Sequence, residues 1–241
     1  MFLKTNLHFH TSLDEEITNY NIYQGIDYAK EQNFGVLAYT PHRKFLFKQE
    51  FSNYAESKGL LLIPGIEINI GKKHIVILNC GKEAENIKSF EDLANYRKRN
   101  PDVLVLAPHP FVFSPKSLKS SFLENIGLFD AVEMTVFSNG VFNFNKPAEI
   151  AAKKYGKPFI ATSDTHFLED INRGYALINV KEKNIEEVFS AIKNGDFQNK
   201  MNSMSPIAMI KHKIKAGISY ISSQCKILKS GSIKGVKEGG L

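Results

Sequence analysis

Short β-branched or apolar runs alternate with stretches of helical spacing along residues 1 to 199. Runs of strand type cover Leu3–Phe9, Gly35–Tyr39, Leu60–Ile70, His74–Asn79, Val103–Leu106, Ala131–Val136, Pro158–Ala161 and Ala176–Val180. Between them, apolar residues three or four apart predict helices around Ile22-Ile26-Ala29-Lys30, Phe90-Leu93-Ala94-Arg97, Ala148-Ile150-Ala151-Lys154 and Ile185-Val188-Phe189-Ile192. Gly156 with Lys157-Pro158 ends the helix before the seventh run, and Asn194-Gly195 ends the last helix. Repeated strand–helix units of this kind predict parallel strands with helices outside them.

The polar residues that interrupt this pattern are not scattered. His8, Thr40 with His42, Glu67, His109, Glu133 and Asp164 stand at or just beyond the C-terminal ends of their runs, and in a parallel barrel those ends share one face. An open doubly wound sheet would instead gather its ligands at a switch point behind a glycine-rich first turn; here that turn reads His-Thr-Ser-Leu-Asp. Six of the seven histidines take part, in the order His8-Phe9-His10, Pro41-His42, Gly65-Ile66-Glu67, His74, Pro108-His109 and Ser163-Asp164-Thr165-His166. Imidazole and carboxylate together suit zinc, manganese or iron, and a set without thiolate does not suit a closed structural zinc site. Singly, these motifs have ordinary explanations: a His-x-His on a strand face, a rigid Pro-His-Pro turn, a Ser-Asp helix cap. Glu67 does not, because a carboxylate inside an apolar strand needs a cation or a hydrogen-bond partner.

Composition adds limits rather than chemistry. A chain of 241 residues with 43% hydrophobic content can bury one large core, so one catalytic domain over residues 1–199 and a tail over 200–241 are expected. No apolar run near the N-terminus reads as a signal peptide and none approaches a membrane span, which predicts a soluble, cytoplasmic protein. Cys80 and Cys225 read as free thiols. The net charge of +6 belongs to the tail, where eight lysines face Glu238 alone and leave the first 199 residues at −1. A near-neutral body gives no electrostatic case for wrapping nucleic acid.

The ordered motifs His-x-His-Thr, Thr-x-His, Gly-x-Glu, His, Pro-His-Pro and Ser-Asp-x-His resemble those of the polymerase and histidinol phosphatase (PHP) superfamily of metal-dependent phosphoesterases, over about residues 1 to 180. The resemblance implies an α/β fold, a distorted (β/α)7 TIM-like barrel, with two or three divalent ions (Zn, Mn or Fe) at its C-terminal face; it is silent on the C-terminal helical tail, which the residue pattern alone predicts. It also implies the ligands. One ion would be held by His8, His10, Glu67 and Asp164, with Glu67 bridging to a second held by His74 and His109. A third would sit between His42, His166 and a first-loop ligand, for which Asp14 is preferred over Glu15 and Glu16. Two departures stand out: Asn6 replaces an Asp that often precedes His-x-His, and Thr40-Pro41-His42 replaces Thr-Asp-His. Both leave the ligand set intact and bear on its surroundings.

Two cations a few ångströms apart bring a bridging water toward ionisation at neutral pH and hold a phosphoryl oxygen for in-line attack, so no protein nucleophile is required. The catalytic set is then Glu67, Asp164 and His166, with Arg43 and Arg173 as forks for phosphate oxygens and Lys44 a weaker candidate. The expected activity is hydrolysis of a small phosphomonoester, histidinol-phosphatase-like or on a nucleotide. Two alternatives remain open, a non-catalytic metal-stabilised accessory domain and an amidohydrolase-type hydrolase. The latter would want a lysine ligand on a middle strand, and the runs at 103–106 and 131–136 have none. Phe129, Phe137, Phe142 and Phe144 could stack on a substrate ring or pack the barrel rim. In the tail, Ile207, Ile210, Ile214, Ile218, Ile221, Cys225 and Leu228 form a helical stripe with lysines mainly off it. That stripe either packs on the barrel or, through residues 205–229, docks on an anionic membrane surface or an acidic partner.

Overall fold

The computed structural model describes residues 1–13, 18–139, 141, 143–211 and 214. In chain order the elements are β1 (Phe2–Phe9), α1 (Ile22–Glu31), β2 (Val36–Tyr39), α2 (Gln49–Ser57), β3 (Leu61–Ile70), β4 (Lys73–Leu78), α3 (Phe90–Arg99), β5 (Leu104–Ala107), α4 (Ser120–Glu124), β6 (Ala131–Met134), α5 (Asn145–Lys154), β7 (Phe159–Ala161), β8 (Gly174–Asn179), α6 (Ile185–Asn194) and β9 (Phe197–Met201). Local chemistry sets several of the helix ends. Asn21 with Gln24 and Ser89 with Asp92 form reciprocal capping boxes at the starts of α1 and α3. Gly195, at φ 73°, closes α6 in the left-handed conformation that its sequence position predicts.

The strands form one sheet in the order β7-β6-β5-β4-β3-β2-β1-β8-β9, curled into a nearly closed TIM-like barrel. Four ladders are parallel, β1 with β2, β2 with β3, β5 with β6 and β6 with β7. The expectation of a wholly parallel sheet is corrected at the other four. β4 runs antiparallel to β3 and β5, and β8 antiparallel to β1 and β9. For β4 the cause is the connection between Ile70 and Lys73, two residues long, where a parallel crossover needs a dozen or more. The seam is joined by a side chain: Asn199 on β9 accepts from the Ala161 N–H at 2.8 Å and donates to the Phe159 carbonyl at 2.8 Å, both on β7. Above it, the segment after β7 pairs with the end of β1, Thr165 N–H donating to His8 O and His10 N–H to Thr165 O, each at 3.1 Å.

Strand alternation layers the interior. Leu7, Val36, Ala38, Ile63, Val76, Leu106, Ala131, Ile160 and Ile178 form one cluster, joined by Val188, Phe189 and Ile192 of α6. The opposite strand faces pack under the other helices, with α1 and α2 on one cluster and α3 and α5 on another. One step further along the same inward faces, Ile63 and Gly65 lead to Glu67, Val76 leads back to His74, and Ala131 leads to Glu133. The apolar layers therefore carry an ionisable layer at one rim. β9 extends past residue 199 to Met201 and Met204 is buried, so the chain stays attached to the barrel beyond the expected domain boundary. Residues 206–211 are helical, with Ile207, Ile210 and Ile214 at 67%, 58% and 56% exposure. No helix among the described residues is long and apolar enough to cross a membrane.

Candidate metal centre

Each rim residue has a local reason for its position. In β1 the pairing with β2 shifts register between Asn6 and Phe9, so Phe9 packs outward with Tyr20 and Ile26 while His8 and His10 face the centre. After β2, Glu67 N–H donates to Pro41 O at 2.9 Å and Arg43 N–H donates to Glu67 O at 2.8 Å, which lays His42 beside Glu67. His74 enters at the start of β4, because the N-terminal end of an antiparallel strand lies at the same rim as the C-terminal ends of its neighbours. His109 and Asp164 follow β5 and β7. Arg43, His109 and Asp164 all have left-handed backbones, at φ 63°, 32° and 47°. For non-glycine residues such conformations cost about 1–3 kcal/mol each, so the surrounding bonds hold them there.

Glu67 is the hub. Its Oε2 lies 2.9 Å from His42 Nε2, 3.5 Å from His8 Nε2 and 3.6 Å from His10 Nε2. Its Oε1 lies 2.5 Å from His74 Nδ1 and 3.5 Å from His109 Nε2. Asp164 Oδ1 is 3.4 Å from both His8 Nε2 and His10 Nε2, and 3.5 Å from His166 Nδ1. The rings of His42 and His166 stack on His10, at 4.2 and 4.4 Å. Three overlapping triads each offer ligand atoms within 4.8 Å of one another: His8, His10 and Asp164; His42, Glu67 and His74; and His10, His42 and His166. Donors roughly 2.1 Å from a shared ion in tetrahedral or octahedral array lie roughly 3.0–3.4 Å apart, close to these separations.

The electrostatics point the same way. Burial pushes the Glu67 carboxyl up, yet His74, His42 and His8 hold it well below the usual range, and His8 and His166 do the same for Asp164. Burial pushes His74 down, and pushes His166 down to about 3 with repulsion from His10 adding to it. His8 goes the other way, since Asp164, Glu67 and Glu133 outweigh its burial. His8 Nε2, Glu67 Oε1 and His74 Nδ1 are buried without a hydrogen bond. Atoms of acceptor type that face one another in a dry site fit a divalent cation better than any neutral arrangement.

Of the expected ligands, His8, His10, His42, Glu67, His74, His109, Asp164 and His166 come together. Asp14, with Glu15 and Glu16, lies outside the described residues, as do Phe142 and the tail after Ile214. Arg43 is exposed beside His42. Arg173 is engaged by Asp170, its Nε donating to Oδ1 at 2.5 Å. Phe129 belongs to the core and packs on Phe122 at 5.4 Å. Asn6 accepts from the His8 backbone N–H at 3.3 Å and donates to Ser163 Oγ at 2.5 Å and Thr165 Oγ1 at 3.0 Å, tying the loop after β7 to β1. The carboxylate on His8 comes instead from Glu133, whose Oε2 is 2.9 Å from His8 Nδ1. Its inward position at a strand end was visible in the sequence, but its partner was not.

Residues 142–197, which include Ser163 to His166, match the sequence profile of the PHP-associated family. Among solved structures, a two-domain protein from Bacteroides vulgatus containing a predicted PHP-like metal-dependent phosphoesterase superposes with a TM-score of 0.66 at 18% identity, over 84% of this chain and 65% of that one. The chain has the PHP fold. The same PHP barrel aligns with the lesion-specific endonuclease PfuEndoQ from Pyrococcus furiosus at TM-score 0.62 and 15% identity, over 86% of this chain and 60% of that one. The chain thus spans less than two thirds of either protein. An amidohydrolase from Chromobacterium violaceum with bound sulfate aligns less well, at TM-score 0.53 and 14% identity, over 80% of this chain and 97% of that one. No curated protein matches the chain by sequence.

Proposed function

We propose that this PHP barrel is a metal-dependent phosphoesterase acting on a small phosphomonoester, such as histidinol phosphate or a nucleotide. The observation that carries the reading is Glu67, buried, with its two oxygens turned toward two different groups of histidines. When bound, zinc, manganese or iron would supply Lewis acidity and a water activated at neutral pH. His8, His10, Glu67 and Asp164 would hold one ion, and His74 and His109 would share Glu67 with a second. His42 and His166 would serve a third, together with Asp14. The protein's own part is to fix these donors on rigid strand ends and to keep His166 neutral as a ready donor. Arg43, exposed at the rim, can offer a fork to phosphate oxygens; Arg173 can do so only by leaving Asp170. Monoesters are favoured over long diesters because the first 199 residues carry a net charge of −1, which gives little electrostatic attraction for an extended polyanion.

The amidohydrolase neighbour keeps a second reading in view, but β5 (Leu104–Ala107) and β6 (Ala131–Met134) carry no lysine that could serve as a ligand. The deciding test is hydrolysis of p-nitrophenyl phosphate beside its bis-ester and an amide analogue, with elemental analysis of the same samples. The phosphatase reading predicts turnover of the monoester that exhaustive chelation abolishes and Mn²⁺, Zn²⁺ or Fe²⁺ restores. Phosphatase activity indifferent to chelation would rule it out.

A further inference from the structure

Glu133 is a fully buried carboxylate on the inward face of β6, directly above Ala131 in the apolar interior. A carboxylate at such a position is costly unless both oxygens are engaged. Both are engaged by residues of the candidate centre. Oε2 is 2.9 Å from His8 Nδ1, and Oε1 accepts from the backbone N–H of His109 at 3.1 Å. Three elements are thus tied at one side chain: β1 through His8, the loop after β5 through His109, and β6 itself.

We infer that Glu133 is a positioning residue for the metal centre, one carboxylate that sets the tautomer of His8 and the backbone of His109. It rests on the metal reading proposed above. Oε2 of Glu133 lies 2.9 Å from His8 Nδ1 as an acceptor, so the hydrogen between them is assigned to Nδ1, which leaves Nε2 open toward Glu67 and Asp164. His109 needs the second oxygen for a different reason. Its φ of 32° is an unfavourable conformation for a residue with a side chain, and the bond from its N–H to Glu133 helps to hold it where the ring meets Glu67. A glutamine of the same shape cannot do both. With its oxygen on the His109 N–H, its NH₂ meets His8 Nδ1 and moves the proton to Nε2, the ligating atom; turned round, it sets a donor against the His109 N–H.

The role also accounts for Asn6. The sequence shows an amide where a carboxylate is expected beside His-x-His, and in the fold that amide serves the loop after β7, while Glu133 supplies the carboxylate from across the barrel.

The test uses residues 1–241 and zinc. Competition against a chromophoric chelator should give the Glu133→Gln protein about 10- to 100-fold weaker binding of the zinc that His8 ligates, the range typical of losing an outer carboxylate on a metal-bound histidine. In zinc-loaded wild type, ¹⁵N imidazole spectra should show His8 protonated at Nδ1 and coordinated through Nε2. Equal zinc affinity in Glu133→Gln, or a wild-type His8 protonated at Nε2, overturns the inference; the second measurement decides even where the variant fails to fold. A wild type that takes up no zinc overturns the metal reading itself, and is distinguished by that.

Discussion

A carboxylate inside an apolar strand has to be compensated, and Glu67 is compensated from five directions by His8, His10, His42, His74 and His109. That much was legible in residue type and position, since histidines and acids at strand ends converge in any barrel. What was not legible was which acid holds which histidine. Asn6 bonds to Ser163 and Thr165 and Glu133 takes His8, because contacts across a barrel depend on strand order and not on neighbours in the chain. The two arginines separate in the same way. Arg43 stands exposed beside His42, while Arg173 pairs with the buried Asp170. Replacing Arg43 by Ala should lower kcat/KM for an aryl phosphate roughly 10- to 100-fold, the worth of a charge-assisted hydrogen bond, and Arg173→Ala should lower it far less. Steady-state kinetics on the metal-loaded variants would reverse the two assignments if Arg173→Ala were the more damaging.

At the scale of elements, the strand runs and four amphipathic helices were readable because one face of each is apolar at a regular period. Direction was not, since an alternating pattern looks the same in either orientation. The signal was present at Gly71-Lys72, a two-residue link that permits only a hairpin. α2 escaped because it buries only Phe51 and Ala55 and has no side-chain cap. β9 escaped because Phe-Gln-Asn-Lys-Met is a mostly polar edge strand. Yet β9 supplies Asn199, whose amide stands in for the missing strand-to-strand ladder at the seam with β7. Asn199→Ala would leave the Ala161 N–H and the Phe159 carbonyl without that partner. The expected loss is about 1–3 kcal/mol of stability in urea unfolding, and a smaller change would mean that the seam closes without the side chain.

The whole molecule is a barrel whose lower layers are apolar and whose upper rim holds the ionisable residues, so fold and site fail or survive separately. The tail belongs to this scale as well. Ile207, Ile210 and Ile214 begin the apolar stripe and are exposed, while the rest of it lies outside the described residues; we propose that the stripe docks on an anionic surface. Since β9 ends at Met201 and Met204 is buried, the informative truncation removes residues 212–241 and not everything after 200. The melting temperature and hydrolysis should be unchanged, and binding to phosphatidylserine-containing vesicles should be lost. A shortened protein that aggregates or melts much lower would place the stripe in the core.

Glu67 remains the point at which the account is most exposed. A glutamine there keeps the shape and removes the charge that two cations would share, while the apolar layers beneath it need neither. The measurement is metal content per chain by elemental analysis of wild type and Glu67→Gln, run with phosphatase activity and thermal melting on the same samples. The account predicts a folded variant that has lost metal and hydrolysis together. A Glu67→Gln protein that is fully metallated and active would contradict it.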